Sequence, residues 1–460
     1  MSLSLELGRF VSGLRYEHLP ADVLRAIKAA FADTIGVAIA GAGESAPRIV
    51  KSIVTPGGNE STLLGGQGRA SAIDAAWING TAAHALDYDD ISQKAIGHVS
   101  SALVPAVLAE AEAIGSTGRQ ALTAYAAGYE TIADLVLRDA DLDHYHTKGW
   151  QPTGVFGAIA CAAACASLRG LDAEKTVMAM SVAASQSAGL VVNFGTMTKP
   201  LHAGKAAHSG VVAARLVSHG FTGAPDVFEH TPGFLHAFSY GGRVNLEAPV
   251  RAGIDWHITN DNRISIKKYP ICYCTHRCID GVFDLLGDSP VKPEEVERID
   301  VSISKRNAVI LHHHSPTTGL EAKFSVEFAV VAPIIAGRVG IAELTDAFVS
   351  RADVQAMIKR VVITLDDNED PDRPGYALND RVVIETRDGR KLDSGPIRSA
   401  RGDYNFPLKT EELAVKFADC LAAGGSKSDA YSVFEILMSL ERVPGVRDFM
   451  KDLEGPRKAS

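Results

Sequence analysis

The stretch Gly154-Val-Phe-Gly-Ala-Ile-Ala-Cys-Ala-Ala-Ala-Cys-Ala-Ser-Leu168 is apolar at almost every position and consists mainly of alanine and glycine. A helix that is apolar all round is buried by other helices, and small side chains let the helix axes approach closely. Apolar residues at three- and four-residue spacing, also typical of helices, recur in Leu24–Ile35, Ala102–Ala113, Ala121–Leu137, Lys175–Ala188 and Gly204–Ser218. We therefore predict a large all-helical domain over residues 1–262.

Period-two alternation of apolar and polar residues begins after about residue 263. Val296–Ser304 and Arg360–Leu365 alternate in this way and are rich in β-branched residues, so both are predicted strands. A hairpin is predicted where Asp388-Gly389 follows Arg381–Thr386, because Asp-Gly accepts the positive φ that such turns require.

Helical spacing returns in four segments of the remaining chain: Ser325–Ala336, Ile341–Phe348, Glu411–Ala423 and Ala430–Leu440. The first two segments lie between the predicted strands and make residues 263–405 a smaller α+β lid domain. The last two lie in residues 406–460, which we expect to return to the helical domain. The predicted fold class is therefore mainly α, with the lid domain inserted before the C-terminal helices.

The composition is that of an ordinary globular protein. The 460 residues include 46 Lys and Arg against 55 Asp and Glu, for a formal net charge of −9. No cluster of Lys and Arg stands out, which argues against a nucleic-acid partner. Residues 154–168 are too few and too weakly hydrophobic to span a membrane, and the first ten residues lack a secretory signal. Since six cysteines are too few for a disulfide framework, we predict a cytoplasmic protein.

Acidic and histidine residues cluster in His84-Ala-Leu-Asp-Tyr-Asp-Asp90 and at His98. In a helical conformation His84 and Asp87 share a face. Three carboxylates within four residues repel one another, so one of them is expected to have a raised pKa suited to proton transfer. An acidic helix end that faces solvent is the alternative. His98 is expected at the start of the next helix, where free N–H groups attract anions.

Two further polar stretches lie beside the predicted helices. Pro200 suits the first turn of a helix, which places Lys199 at a helix start. The helix dipole disfavours a cation there, so an anion would complete the site; an exposed loop lysine is the alternative. Gln151, within Gly149-Trp-Gln-Pro-Thr-Gly154, lies either at a cavity mouth or at a simple helix entry.

The segment Lys267-Lys-Tyr-Pro-Ile-Cys-Tyr-Cys-Thr-His-Arg-Cys278 combines two lysines with three cysteines and a histidine. Zinc sites typically use Cys-x₂₋₄-Cys pairs with a second pair elsewhere, and no distant second pair exists in this sequence. We therefore predict no metal and interpret Cys274 and Cys278 as buried thiols. A metal-dependent hydrolase that uses this cluster is the alternative.

In this order, the polar stretches resemble those of the MmgE/PrpD family, which comprises 2-methylcitrate dehydratases, cis-aconitate decarboxylases and iminodisuccinate epimerase. The matching stretches run along the whole chain: Asp33–Gly41, His84–Asp90, Gly149–Gly154, Thr198–Ala207, Lys268-Tyr-Pro with Thr275-His, and Ala322-Lys-Phe-Ser. Thr198-Lys-Pro-Leu-His-Ala-Gly204 is the most specific of them. The resemblance implies a helical domain with an α+β lid, an active site between them, no cofactor and a homodimer.

The resemblance also implies roles for individual residues. Four of them fall on active-site positions of characterised members: Asp87, His98, Lys199 and Lys267. Four positions depart from the family pattern: Cys272, Gln151, Ile91, which replaces a threonine, and Val99, which replaces a proline. The dehydratase pattern after the acidic motif is altered as well. Decarboxylases carry a histidine that protonates the product carbon where this chain has Cys272, which argues against decarboxylation, and Gln151 stands where many members have histidine.

All three family chemistries require loss or gain of a proton at a carbon next to a carboxylate, with cations and donors directed at the developing charge. We expect Lys199 and Lys267 to hold the carboxylates of a small anionic polycarboxylate. His98, oriented by Asp87, is the predicted general acid and base. His276 either supplies a second acid or braces the lid.

Five further residues are predicted to bind the substrate: Lys268, Tyr269, His202, Gln151 and Cys272. The predicted function is a cofactor-independent lyase acting on a di- or tricarboxylate, with a 2-methylcitrate dehydratase-like hydro-lyase preferred. An epimerase of an iminodisuccinate-like dicarboxylate is one alternative. A non-catalytic family member that binds polycarboxylates is the other.

Overall fold

The computed structural model describes residues 2–55, 57–92, 94, 97–140, 145, 148–239, 241–260, 262–371 and 373–454. The chain forms two compact units: a first one made of Met1–Val192, Thr198–Ile266 and Lys409–Ser460, and a second one made of Asn193–Met197 and Lys267–Leu408. Helices dominate the described residues, which confirms the predicted mainly α class.

The first unit begins with helices, numbered here in chain order among the described residues. They are α1 (Leu3–Gly13), α2 (Ala21–Gly41), α3 (Ser45–Ile53), α4 (Ala72–Ala85), α5 (Val99–Ile114), α6 (Gly118–Val136), α7 (Pro152–Leu168), α8 (Ala173–Ala184), α9 (Thr198–Ser218) and α10 (Phe234–Phe238). Its strands form two short antiparallel pairs, β1 (Ser61–Leu63) with β2 (Gly68–Ala70) and β3 (Ile91–Ser92) with β4 (Ile264–Ser265). No described helix combines the length and the apolar composition that crossing a membrane requires.

Helix α7 is the Ala-rich stretch from which the helical domain was predicted. It packs against α5, α6, α8 and α9 and is buried over nearly its whole length. Pro152 occupies its first turn, where the N–H that proline lacks would have no helical partner. Alanine and glycine on every face let the neighbouring helices surround it, so the interpretation of this stretch is confirmed.

Helices α4 and α9 cross where each has a glycine. A Cβ atom on Gly204 would lie 2.1 Å from Thr81 Oγ1 and 2.4 Å from the carbonyl oxygen of Trp77. A Cβ atom on Gly80 would lie 2.9 Å from the Cα atom of Gly204. The two backbones therefore touch at a point about one and a half turns from the C-terminal end of α4 and from the N-terminal end of α9.

The second unit combines short helices with a four-stranded sheet. Its elements are α11 (His276–Asp288), β5 (Val296–Ser304), α12 (Lys305–Ile310), α13 (Gly319–Ala322), α14 (Val326–Ala336), α15 (Asp346–Val349), α16 (Ala352–Ile358), β6 (Val361–Asp366), β7 (Glu369–Asp370), β8 (Arg373–Ala377), β9 (Arg381–Thr386) and β10 (Lys391–Asp393). The strand order is β10-β9-β5-β6, with β5 and β6 parallel and the other pairs antiparallel. The predicted hairpin joins β9 to β10, and Gly389 in its turn has a φ of 88°.

Two predicted helices of the chain differ from the structure. The segment Ile341–Phe348 is not one helix but a 3₁₀ turn, Ile341–Leu344, followed by α15. Thr345 separates the two pieces because its extended backbone breaks the helix and its side chain accepts a hydrogen bond from Phe348 N. Helix α8 ends at Ala184, before the predicted end at Ala188.

The C-terminal helices α17 (Thr410–Ala423), α18 (Ala430–Met438) and α19 (Val446–Glu454) belong to the first unit. Both α17 and α18 pack against α2, and α19 packs against α5. The second unit is thus inserted in the sequence of the first.

We expect Gly204→Ala to lower the free energy of unfolding by about 1–3 kcal/mol, because overpacking a close helix contact forces the backbones apart. Thermal unfolding of the purified variant measures the effect. Gly13→Ala is the matched control, since Gly13 ends α1 and a Cβ atom there meets nothing within 4 Å. Equal melting temperatures for the two variants would contradict the close contact between α4 and α9.

Candidate functional site

A tight turn follows the C-terminal end of α4. The helix ends at Ala85, and Asp87 has a φ of 52°, which within the described part of the chain makes it the one non-glycine residue with a positive φ. The helical conformation predicted for His84–Asp90 is therefore wrong beyond Ala85, because a left-handed residue ends the helix. The carboxylates of Asp87 and Asp89 consequently project from a turn and not from one helix face.

Asp89 lies between two imidazole rings. Its carboxylate oxygens are 3.0 Å from His84 Nδ1 and 3.2 Å from His98 Nδ1. A carboxylate only accepts hydrogen bonds, so His84 Nδ1 carries the hydrogen of its bond to Asp89, while His98 Nδ1 lies within ion-pair distance of the same carboxylate. Burial opposes the charged form of Asp89, but the adjacent His84 and His98 outweigh it and hold the pKa of Asp89 well below its usual value. Asp89 is therefore a permanent carboxylate that fixes the orientation of both rings.

His98 immediately precedes α5, as predicted. Its backbone N–H donates to Thr153 Oγ1 at 2.8 Å, which ties it to the first turn of α7. Its Nε2 lies 3.8 Å from Asp87 Oδ1. Since Nδ1 faces Asp89, Nε2 is the ring nitrogen that faces Asp87.

Lys199 lies in the first turn of α9, as predicted, and is only 4% exposed. The exposed loop lysine considered from the sequence is therefore wrong. Its Nζ donates to Asp87 Oδ1 at 2.7 Å, so one carboxylate faces both the ammonium group and His98. The anion expected beside Lys199 at the start of α9 is, at least in part, the carboxylate of Asp87.

Gln151 contacts His84, and His202 in turn contacts Gln151. Gln151 Nε2 lies 3.4 Å from His84 Nε2, and Gln151 Oε1 accepts a hydrogen bond from His202 Nδ1. The four side chains thus form a hydrogen-bonded row, Asp89–His84–Gln151–His202, in which every donor points towards Asp89. Burial, then the neighbouring groups His84 and Lys199, lower the pKa of His202 to about 4, so its ring is neutral near pH 7.

Asp90 is the carboxylate of this turn whose pKa is raised. Burial is the main cause and the charge of Asp33 adds to it, so the pKa of Asp90 lies well above its usual value. Its carboxyl group is hydrogen bonded to Ser100, whose Oγ is 2.7 Å from Tyr125 Oη. The expectation of one raised carboxyl pKa is met, and the exposed acidic helix end considered from the sequence is wrong, since Asp87, Asp89 and Asp90 are buried.

The second unit contains the other predicted site residues. Lys267 is fully buried and Lys268 is half-buried. Tyr269 Oη donates to Asp280 Oδ1 at 2.6 Å, and Asp280 is also paired with Arg401. Burial, then the charge of Asp280, raises the pKa of Tyr269, so Tyr269 stays a neutral phenol.

His276 begins α11 and is fully buried. Its Nε2 lies 3.2 Å from the carbonyl oxygen of Ile271, and its ring packs against Tyr269. The backbone N–H of Cys272, a buried residue, donates to the carbonyl oxygen of Lys323 at 3.0 Å. These contacts favour the bracing role of the two roles predicted for His276.

The structure brings five predicted site residues together in the first unit: Asp87, His98, Lys199, Gln151 and His202. The other five lie in the second unit: Lys267, Lys268, Tyr269, Cys272 and His276. That Lys267 binds the same substrate as His98 and Lys199 stays a prediction. The sequence analysis did not predict His84 and Asp89 as site residues. The signal that could have identified them is their separation of five residues, which lets a turn after α4 bring the carboxylate back to the imidazole.

His84, Asp87, Asp89 and His98 place one potential ligand atom each within 4.8 Å of one another, so a divalent cation could be held there. Asp87 already pairs with Lys199, and Asp89 already faces both imidazoles. The cysteines of residues 272–278 form no such group among the described residues. The predicted absence of a metal stays a prediction.

Comparison with known proteins identifies relatives along the whole chain. This chain is 26% identical over 470 residues to cis-aconitate decarboxylase of Homo sapiens, and the match covers 99% of this chain and 95% of that protein. It is 25% identical to the cis-aconitate decarboxylase-like protein oryM of Aspergillus oryzae, covering 99% and 98%. A cis-aconitate decarboxylase of Aspergillus terreus is 24% identical, with 99% and 96% covered.

Two family models match in sequence order. Residues 5–247 match the MmgE/PrpD N-terminal domain, and residues 269–441 match the MmgE/PrpD C-terminal domain. The first match covers most of the first unit, including α4, α5, α7 and α9, from which the cluster around Asp87 and Asp89 is built. The resemblance read from the sequence is confirmed, and with it the prediction of an enzyme of this kind: the chain belongs to the MmgE/PrpD family.

Proposed function

We propose that this protein is a cofactor-independent lyase that removes a proton from a carbon next to a carboxylate of a small di- or tricarboxylate. The observation that carries the proposal is the buried cluster in which Asp87 faces both Lys199 and His98. A cation and an imidazole next to each other are what such a reaction needs, because the base creates negative charge beside the substrate's carboxylate.

His98 is proposed as the general base and acid. Asp89 holds its Nδ1 at 3.2 Å, which leaves Nε2 to take the proton. The cationic ring that results lies 3.8 Å from Asp87 Oδ1, and an opposite charge at that distance favours it. Two carboxylates therefore prepare His98 for different tasks, one by orienting the ring and one by stabilising its charge.

Lys199 is proposed to bind a substrate carboxylate. An ammonium group has three N–H donors, so the bond to Asp87 is compatible with a second bond to an anion. The free N–H groups of the first turn of α9 attract negative charge to the same place. Neutral His202 is proposed to bind substrate by hydrogen bonding alone.

Dehydration is the preferred reaction. In it His98 takes the proton, the electrons of the C–H bond form the double bond, and the β-hydroxyl leaves as water after the protonated ring of His98 donates that proton to the leaving oxygen. Decarboxylation is the second candidate, and the names of the relatives favour it. Cys272 argues against it, because the resemblance implies that decarboxylases carry a product-protonating histidine at that position.

Incubation with citrate-like, cis-aconitate-like, tartrate-like and iminodisuccinate-like acids in D₂O, followed by NMR, tests the proposal. We expect an alkene signal from a 2-methylcitrate-like or citrate-like acid. Deuterium in recovered substrate without an alkene would indicate an epimerase, and loss of CO₂ from cis-aconitate would indicate a decarboxylase. Binding by calorimetry with no product from any acid would identify a non-catalytic member.

That the enzyme acts in the cytoplasm, as a homodimer and without a cofactor, stays a prediction. The same holds for its having no nucleic-acid or membrane partner. Lys267 of the second unit is proposed to bind a second carboxylate of the substrate.

His98→Ala is expected to lower kcat by about 10²–10⁴-fold, the usual contribution of a general acid or base. The melting temperature should change little, since Asp89 keeps its contact with His84. Steady-state kinetics on the acid that the NMR experiment identifies measure the effect. His219→Gln, on an exposed histidine, is the matched control, and a His98→Ala enzyme as active as this control would refute the role of His98.

The pH dependence of stability tests the neutral state of His202. Its pKa is about 4 in the folded protein and near 6.5 when unfolded, so the unfolded chain binds more protons between these values. His202 therefore contributes stability that is full above pH 6.5 and is lost as the pH falls towards 4. We expect the drop in melting temperature from pH 7 to pH 5 to be smaller in His202→Gln than in wild type. An equal drop would contradict the lowered pKa of His202.

A further inference from the structure

Lys416 of α17 lies behind the turn that carries the site carboxylates. It is 6% exposed, and its Nζ donates to the carbonyl oxygen of Tyr88 at 2.8 Å. The same Nζ lies 2.6 Å from Asp33 Oδ1 on α2 and 3.9 Å from the centre of the Tyr88 ring. One buried ammonium group thus connects α17, which carries it, with α2 and with the turn after α4.

Tyr88 stands between the two carboxylates of the site. The carbonyl group that Lys416 holds belongs to the peptide between Tyr88 and Asp89, and a peptide unit is planar. Holding its oxygen therefore sets the direction in which the chain enters Asp89. On the other side, Asp87 has a left-handed φ, a conformation that costs free energy in residues other than glycine.

We propose that Lys416 is a positioning residue: by holding the carbonyl group of Tyr88 it keeps Asp87 in contact with Lys199 and Asp89 in contact with His98. It touches no substrate and acts through the turn. The inference rests on the proposed function insofar as Asp87 and Asp89 serve His98 and Lys199. Neither the family match nor the relatives assign a role to this lysine.

The competing explanation is that Lys416 only neutralises Asp33. Removing one partner of a buried ion pair is destabilising because the other charge stays buried without compensation. A loss of activity in Lys416→Met alone would therefore not separate the two explanations. Adding Asp33→Asn removes the uncompensated charge but leaves the Tyr88 carbonyl group without the ammonium donor.

Lys28 of α2, the helix that also carries Asp33, provides a matched control. Lys28 Nζ donates to the carbonyl oxygen of Met438 at 3.0 Å and pairs with Glu441 at 3.0 Å. It therefore makes the same two kinds of contact, a carbonyl group and a carboxylate, away from the turn. Lys28→Met with Glu441→Gln is the control for the double variant of Lys416.

For Lys416→Met with Asp33→Asn we expect a melting temperature above that of Lys416→Met alone. Its kcat should still be about 10²-fold below that of wild type, since a small misplacement of catalytic groups costs that much, with KM changed much less. The control double variant should keep the kcat of wild type. Recovery of kcat together with the melting temperature would overturn the positioning role and leave only the ion pair with Asp33.

Hydrogen exchange of the backbone amides at residues 86–90 provides a reading that needs no substrate. We expect these amides to lose protection in the double variant of Lys416 and to keep it in that of Lys28. Should the wild-type enzyme convert none of the acids, the proposed function fails while this measurement still decides the inference. Unchanged protection at residues 86–90 would show that Lys416 does not hold the turn.

Discussion

Buried negative charge is the constraint on which the site depends. A carboxylate taken out of water must be paired or protonated, and the residues around the turn after α4 meet this requirement in different ways. Asp87 is paired with Lys199, Asp89 faces two imidazoles, and Asp33 is paired with Lys416. Asp90 instead has a pKa raised well above its usual value by burial and by the charge of Asp33. The compensating groups come from α4, α5, α9 and α17, so the site exists only when these helices pack together.

The hydrogen bonds of the row Asp89–His84–Gln151–His202 all have the same direction, with each donor pointing towards Asp89. Asp89 cannot donate and the amide of Gln151 cannot ionise, so the two groups together determine which nitrogen of His84 carries hydrogen. A histidine in place of Gln151 would bring a third imidazole into the row. The amide makes the row a fixed scaffold beside His98, the ring that is proposed to exchange the proton.

Local signals allowed much of the fold and part of the site to be predicted from the sequence. Pro200 marked the start of α9 and the Val-Ser-Ser after His98 marked the start of α5, because helix starts depend on a few neighbouring residues. The left-handed Asp87 was missed, since its conformation depends on partners far away in the chain, such as Lys199. Thr345, which divides one predicted helix, illustrates how a single capping side chain overrides periodic spacing.

The backbone contact between α4 and α9 has a consequence for how this enzyme can be redesigned. The main chains of α4 and α9 touch at Gly80 and Gly204, so a side chain at either position would collide with the other helix. Neither glycine is therefore a useful position for mutagenesis. Variation aimed at a new substrate range is therefore better concentrated on Gln151 and His202, whose side chains can change in size and polarity while the helix scaffold beneath them keeps its spacing.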